Sequence, residues 1–241
     1  MKKTRDFILS GDKLVMLCAF VIMLMSLSAC SSRENTEEKR IYEDNQTKSQ
    51  ILSDEKNSKD NSAKTGILIA YFSWAENAVQ EDVDAMTSAS VIMPGNVTQL
   101  ATWIAEETGG DLFSIRVVKP YPADWDECLN RANEEKAKEV LPELLQSVEN
   151  IDDYDVIFLG YPNWWYSCPM AIFSFLKENN LSGKQVFLFC SHGTGGLARS
   201  VQDISSALTD SNISENVFDA YEEDTAKSQN KIREWLKAID Y

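Results

Sequence analysis

The chain has 241 residues, 44% of them hydrophobic, which allows one good α/β-sized domain with a packed core and some extra chain. Its formal net charge of −15 argues against nucleic acid as a partner and against electrostatic adhesion to anionic lipid. Five cysteines without paired spacing make no disulfide framework, and one histidine, His192, with no ligand cluster near it, makes no metal site.

Lys2, Lys3, Arg5 and Lys13 precede an apolar run from Leu14 to Leu27, short for a membrane span and the right length for a signal-peptide core. The run ends in Leu27-Ser28-Ala29-Cys30, which resembles the bacterial lipobox. That resemblance implies loss of residues 1–29 and lipid attachment at Cys30, with two acyl chains anchoring stably where one is marginal. The expected location is the outer face of the bacterial cytoplasmic membrane. Losing four basic and two acidic residues takes the net charge from −15 to −17, so the lipid must do the anchoring. Residues 30–64 are mostly Ser, Asn, Glu, Lys, Asp and Gln, too polar to offset their ordering entropy, and read as a disordered tether.

From 65 to 241 short apolar runs alternate with amphipathic ones, the pattern of an α/β domain with a parallel sheet. Gly66–Phe72 is the first strand, apolar on both faces. About twenty residues that read as neither strand nor helix follow. The next helix is predicted over Thr98–Thr108, stopped by Gly109-Gly110, and the second strand over Asp111–Val118. A helical stretch over Asp124–Val148, with a kink or restart at Pro142, leads to a third strand at Asp155–Gly160. Then come a helix at Pro169–Asn179, a strand at Gln185–Cys190, a helix at Leu197–Leu208, a weaker fifth strand at Asn216–Ala220 and a closing helix at Asp224–Ile239. Five strands with intervening helices make a doubly wound three-layer sandwich, whose ligands sit beyond the carboxyl ends of the strands.

The loops after strands one, three and four, all at that edge, are unusual. After strand three, Tyr161-Pro162-Asn163-Trp164-Trp165-Tyr166 carries aromatic rings that are costly to expose, and a planar ligand explains them better than a covering role. After strand four, Ser191-His192-Gly193-Thr194-Gly195-Gly196 lets the backbone approach a ligand and offers hydrogen bonds to a heterocycle edge. Cys168 and Cys190 read as packed residues.

The segments "GYPNWW", "GKQVFLFCSHGTGG" and "YPADWDECLNRANEE" resemble the flavodoxin-like family, over roughly Gly66 to Ala238. The resemblance implies a five-stranded parallel sheet of order 2-1-3-4-5 and an FMN cofactor. The family's phosphate loop, Ser-x-Ser/Thr-Gly-Asn-Thr, is matched here in two parts, Ser73-Trp74 and Gly95-Asn96-Val97-Thr98, separated by an insertion of about residues 75–94. Ser73, Asn96 and Thr98 are expected to supply donors, aided by the N-terminus of the following helix. Pro162, Asn163, Trp164 and Trp165 are expected to wall the isoalloxazine, with Trp164 or Trp165 stacking, and Ser191 to Gly196 to meet its pyrimidine edge. The insertion is expected to be a flap, polar at its tip through Glu76, Glu81, Asp82 and Asp84, with Val91, Ile92 and Met93 packed near the ring.

The favoured function is electron transfer by a membrane-tethered FMN protein with a redox partner protein or a small-molecule acceptor. An FMN-dependent NAD(P)H quinone or nitro reductase, and a binding lipoprotein that has lost the flavin, are the alternatives.

Overall fold

Strict alternation of apolar side chains along three strands builds two separate cores on one sheet. The computed structural model describes residues 66–241 apart from Asp82, Asp84 and Ala85; the leader, Cys30 and the tether lie outside the described residues. In chain order the elements are β1 (Gly66–Tyr71), α1 (Trp74–Asn77), α2 (Asn96–Thr108), β2 (Asp111–Ser114), α3 (Trp125–Ala137), β3 (Tyr154–Pro162), α4 (Met170–Glu178), β4 (Gln185–His192), α5 (Ser200–Ala207), β5 (Asn212–Ile213), β6 (Phe218–Tyr221) and α6 (Gln229–Ala238). All strand pairs are parallel and the order is β2-β1-β3-β4-β5, as expected, with a sixth strand, β6, also on β4.

Side chains of successive strand residues point to opposite faces. Ile69, Val156, Phe158 and Phe187 therefore pack with Leu100 and Ile104 of α2 and Ile232 and Trp235 of α6. Leu68, Ile157, Leu159 and Leu188 pack on the other face with Ile172 and Phe175 of α4 and Ile204 of α5. Burial on both faces is why these strands read as continuous apolar runs. Gly160 is required where it stands, because a Cβ there would lie 2.1 Å from the ring of Phe189. Among the described residues no helix is long and apolar enough to cross a membrane.

The structure revises several predicted elements. The helix expected to reach Val148 ends at Ala137, and Pro142 lies in irregular chain. The reason is backbone pairing. Val118 N–H donates to the Glu143 carbonyl (2.9 Å) and Leu145 N–H to the Arg116 carbonyl (2.7 Å), so this stretch pairs with the segment after β2. That segment leaves the sheet at Ser114, which shortens the second strand. The fifth strand position is filled by two short pieces, β5 beside Gln185 and Val186 and β6 beside Phe189 to His192. The helix expected from Leu197 starts at Ser200, and the closing helix is a 3₁₀ turn, Glu222–Lys227, followed by α6.

The inserted stretch after β1 is stitched to the domain. Asn77, 3% exposed, donates from Nδ2 to the carbonyls of Ser73 (2.9 Å) and Ile115 (3.0 Å), while its Oδ1 accepts from Val117 N–H (2.9 Å). Its backbone carbonyl accepts from Tyr121 N–H (2.7 Å), and Val79 N–H donates to the Tyr121 carbonyl (3.1 Å). Tyr121 is itself held by its hydroxyl donating to Glu135 (2.7 Å) and by Arg131 lying 3.9 Å over its ring. Replacing Asn77 with alanine leaves a buried N–H and a buried carbonyl without their partners, so Asn77→Ala is expected to cost about 2–4 kcal/mol in a urea denaturation series. A loss below about 1 kcal/mol would show that the stitch is dispensable.

Candidate functional site

Beyond the carboxyl ends of β3 and β4 lies a cavity of about 250 Å³. Nine of the expected residues line it: Pro162, Asn163, Trp164, Trp165, Ser191, His192, Gly193, Thr194 and Gly195. Five others line it too, Ser88, Ser90, Trp125, Tyr166 and Glu222. Trp125, the first residue of α3, stands in one of the segments that carried the family resemblance and is the signal that could have been read. Ser88, Ser90 and Glu222 reach the cavity only through the tertiary fold, and no local pattern marks them.

The aromatic wall is built on a tight turn. Trp164 N–H donates to the Ser167 carbonyl and Ser167 N–H to the Trp164 carbonyl, both at 3.0 Å, leaving Trp165 and Tyr166 as the two central residues. Both have positive φ, 49° and 63°, the left-handed pair of a type I′ turn that usually takes Asn-Gly. Large side chains there cost of order 1 kcal/mol each, and such strain persists where the surroundings hold it. Lys136 Nζ donates to the Trp165 carbonyl (3.0 Å), Arg199 N–H to the Tyr166 carbonyl (3.1 Å), and Ser167 Oγ to Asp203 (2.6 Å). The turn carries Tyr166 into solvent, 69% exposed, with its ring 3.8 Å from where a Cβ on Gly195 would lie.

Of the two tryptophans expected at the ring, Trp164 lines the cavity from below. Only 7% exposed, it packs edge-on against Phe72 (5.5 Å) and Tyr121 (5.1 Å) and forms the cavity floor as a core residue. Trp165, half-buried and 6.1 Å from the ring of Trp125, is the tryptophan available as a wall. Trp74 is core as well, with its indole N–H donating to the Pro122 carbonyl (3.0 Å).

The two loops are tied to each other. Asn163 donates from its backbone N–H to the Ser191 carbonyl (2.8 Å) and from Nδ2 to the Gly196 carbonyl (2.7 Å). Gly196, at φ 59°, turns the chain and does not line the cavity. His192 is fixed at both ring nitrogens, Nδ1 2.7 Å from the Gly193 carbonyl and Nε2 2.8 Å from Asp219. On the opposite rim, Ser88 and Ser90 share a hydroxyl hydrogen bond (2.6 Å) and Ser88 donates to Glu222 (3.2 Å).

The expected phosphate loop lies beside this cavity but does not line it. Its two halves do meet: a Cβ on Gly95 would lie 2.4 Å from Ser73 Oγ, so only glycine fits between them. Gly95 caps α2 at φ 83°, and Ser73 Oγ is buried with no hydrogen-bond partner. Asn96 donates to the Glu222 carbonyl (3.1 Å), and Val97 is packed in the α2 core. Thr98, in the first turn of α2, donates to Glu76 Oε1 (2.7 Å).

Glu76 was expected at the polar tip of a flap, and the structure corrects this. Its side chain is 9% exposed and accepts from Thr98, from Tyr71 (3.1 Å) and from Ser114, with Arg116 3.9 Å away. Burial, then the Glu76 charge, push the Tyr71 hydroxyl up to about 12, which keeps it a donor. Of the residues expected to pack near the ring, Val91 is buried in the core, whereas Ile92 and Met93 face solvent at 46% and 54% exposure. A single 3₁₀ turn, Ala89–Val91, turns only Val91 inward.

The three described cysteines are free and buried, and burial pushes the thiol of Cys128 up to about 12 and those of Cys168 and Cys190 well above the ordinary value. They are packing residues.

A comparison with curated proteins finds no match. Among solved structures, a flavoprotein candidate from Bacteroides eggerthii is 27% identical, covers 73% of this chain and 98% of its own, and superposes with a TM-score of 0.57. One from Bacteroides uniformis is 22% identical over 72% of this chain and 99% of its own, with a TM-score of 0.56, a likeness of fold. A flavoprotein from Lactobacillus acidophilus, solved in complex with FMN, is 17% identical over 69% of this chain and 99% of its own, with a TM-score of 0.48. The flavodoxin family model matches residues 83–239, well over half of the sequence, and so this chain belongs to the flavodoxin family.

Proposed function

We propose that this chain is a flavodoxin that holds FMN in the cavity beyond β3 and β4 and transfers electrons while tethered to a membrane through lipid on Cys30. The observation that carries the reading is the cavity itself, where rings of Trp125, Trp165 and Tyr166 and the polar Gly193–Gly195 backbone meet at the strand ends. Its residues fit a flat, amphipathic ring system: aromatic faces for stacking, backbone and Thr194 hydroxyl for a heteroatom edge. Ser73 Oγ, buried and unpartnered beside the α2 N-terminus, fits a phosphate acceptor.

When bound, the flavin supplies reversible electron transfer. The chain supplies the rest. Trp164 closes the cavity floor against water, the strained turn holds Trp165 and Tyr166 outward at the rim, and the Asn163 bonds fix the two loops at one spacing. The net charge of −17 left after loss of residues 1–29 suits docking to a basic redox partner, since complementary charge speeds encounter.

The purified protein is expected to quench and bind FMN. Its photoreduced flavin form should reduce a basic one-electron acceptor such as cytochrome c faster than free FMN does, with the advantage shrinking as salt is raised. Tyr166→Gly removes one ring and frees the turn from strain. It should weaken FMN binding by about tenfold while leaving stability unchanged or raised by up to about 1 kcal/mol. A folded protein that binds no flavin, or that transfers electrons no faster than free FMN, contradicts this function.

The protein expressed in a bacterium fed labelled palmitate should carry the label, and Cys30→Ala should not. A wild-type protein without label, or one whose label persists in Cys30→Ala, would rule out the lipid tether.

A further inference from the structure

The donors that would hold a cofactor phosphate are already holding an anion, and the anion is the protein's own. Glu76 sits on α1, three residues past Ser73, and its carboxylate accepts hydroxyl hydrogen bonds from Thr98 (2.7 Å), Tyr71 (3.1 Å) and Ser114. Thr98 lies in the first turn of the 13-residue helix α2, where backbone N–H groups favour negative charge. Beside it, Ser73 Oγ is buried without a partner, 1% exposed and pressed against the α2 cap at Gly95. One donor of the pair is therefore committed to Glu76 and the other is unsatisfied.

Charge makes the arrangement exclusive. Arg116 is the cation beside the carboxylate, 3.9 Å away and 42% exposed. Glu222 adds a second carboxylate at the cavity rim. A phosphate dianion placed on Ser73 and Thr98 would share its donors with Glu76 and face like charge at short range in a partly desolvated site. The Ser90 carbonyl lies 3.5 Å from where a Cβ on Gly95 would project, so the inserted stretch also covers the approach. The open cavity of about 250 Å³ falls below the usual range of whole-ligand sites, roughly 300–1,000 Å³, and is ring-sized.

Building on the flavin reading of this site, we propose that Glu76 determines its specificity by competing with the flavin phosphate: FMN seats fully only when the Glu76 carboxylate leaves Thr98, whereas a flavin lacking phosphate binds without displacing it. No covalent step is involved. The competition is between two anions for one set of hydroxyl and helix N-terminal donors, and the inserted stretch carries one of the competitors.

The test measures FMN and riboflavin affinities for the wild-type protein, Glu76→Gln and Glu76→Ala, with folding checked by circular dichroism. Removing the charge should tighten FMN roughly tenfold or more in both variants and change riboflavin by no more than about twofold. Inorganic phosphate alone should raise the melting temperature of both variants more than that of the wild type. Equal FMN-to-riboflavin ratios in all three folded proteins, or equal phosphate protection, overturn the role of Glu76 and leave the flavin site standing. Folded proteins that bind neither flavin overturn the flavin reading and this proposal with it.

Discussion

Asn77 uses its side-chain amide entirely on backbone groups, and much of the site hangs from those bonds. By joining Ser73 and Ile115 carbonyls to the Val117 N–H it locks the exit of β1 to the exit of β2. With that exit fixed, Glu76 one residue earlier faces Tyr71, Thr98 and Ser114, and Val79 two residues later is paired with Tyr121. A buried amide with every group satisfied is rigid, because breaking any bond leaves a polar group with neither water nor partner. Arg131 and Glu135 extend the same network through Tyr121 to α3, and α3 begins with Trp125, a wall of the cavity.

The cavity thus depends on two devices of different kinds. On one side, hydrogen bonds to backbone fix the start of the inserted stretch, and further along it Ser88 donates to Glu222 and forms a rim with Ser90. On the other, a turn holds two large aromatic residues in a left-handed conformation that their side chains disfavour, with Lys136 and Arg199 on their carbonyls and Asp203 on Ser167 at its end. Strain of this kind survives because the folded surroundings over-determine it. The first sits at the exits of β1 and β2 and the second at the exit of β3, all on the carboxyl edge of the sheet, which is the general ligand position in open parallel sheets.

Most of the fold was legible because its code is periodic. β1, β3 and β4 alternate between two cores, so continuous apolar runs such as Ile157 to Leu159 could be nothing but central strands. The errors fall where backbone pairing outweighs local propensity. Residues 143–145 lie in a Glu- and Leu-rich stretch that reads as helix, yet they pair with the chain after β2. In the site, the third and fourth loops were readable because consecutive residues do one job. Glu76 was not, since a glutamate in a polar insertion looks like a solvated charge until Tyr71, Thr98 and Ser114 converge on it. Trp164 and Trp165 look alike in sequence, and only the turn separates the floor from the wall.

On the proposed reading, the flavin ring lies between the turn at Trp165-Tyr166 and the backbone of Gly193–Gly195. Amide and indole NMR signals followed during riboflavin titration test it directly. The largest shifts should fall at Asn163, Trp165, Tyr166 and Gly193 to Gly195, with Ser73, Gly95 and Thr98 little changed. Shifts centred on Ser73, Gly95 and Thr98, or on a surface remote from β3 and β4, would contradict it.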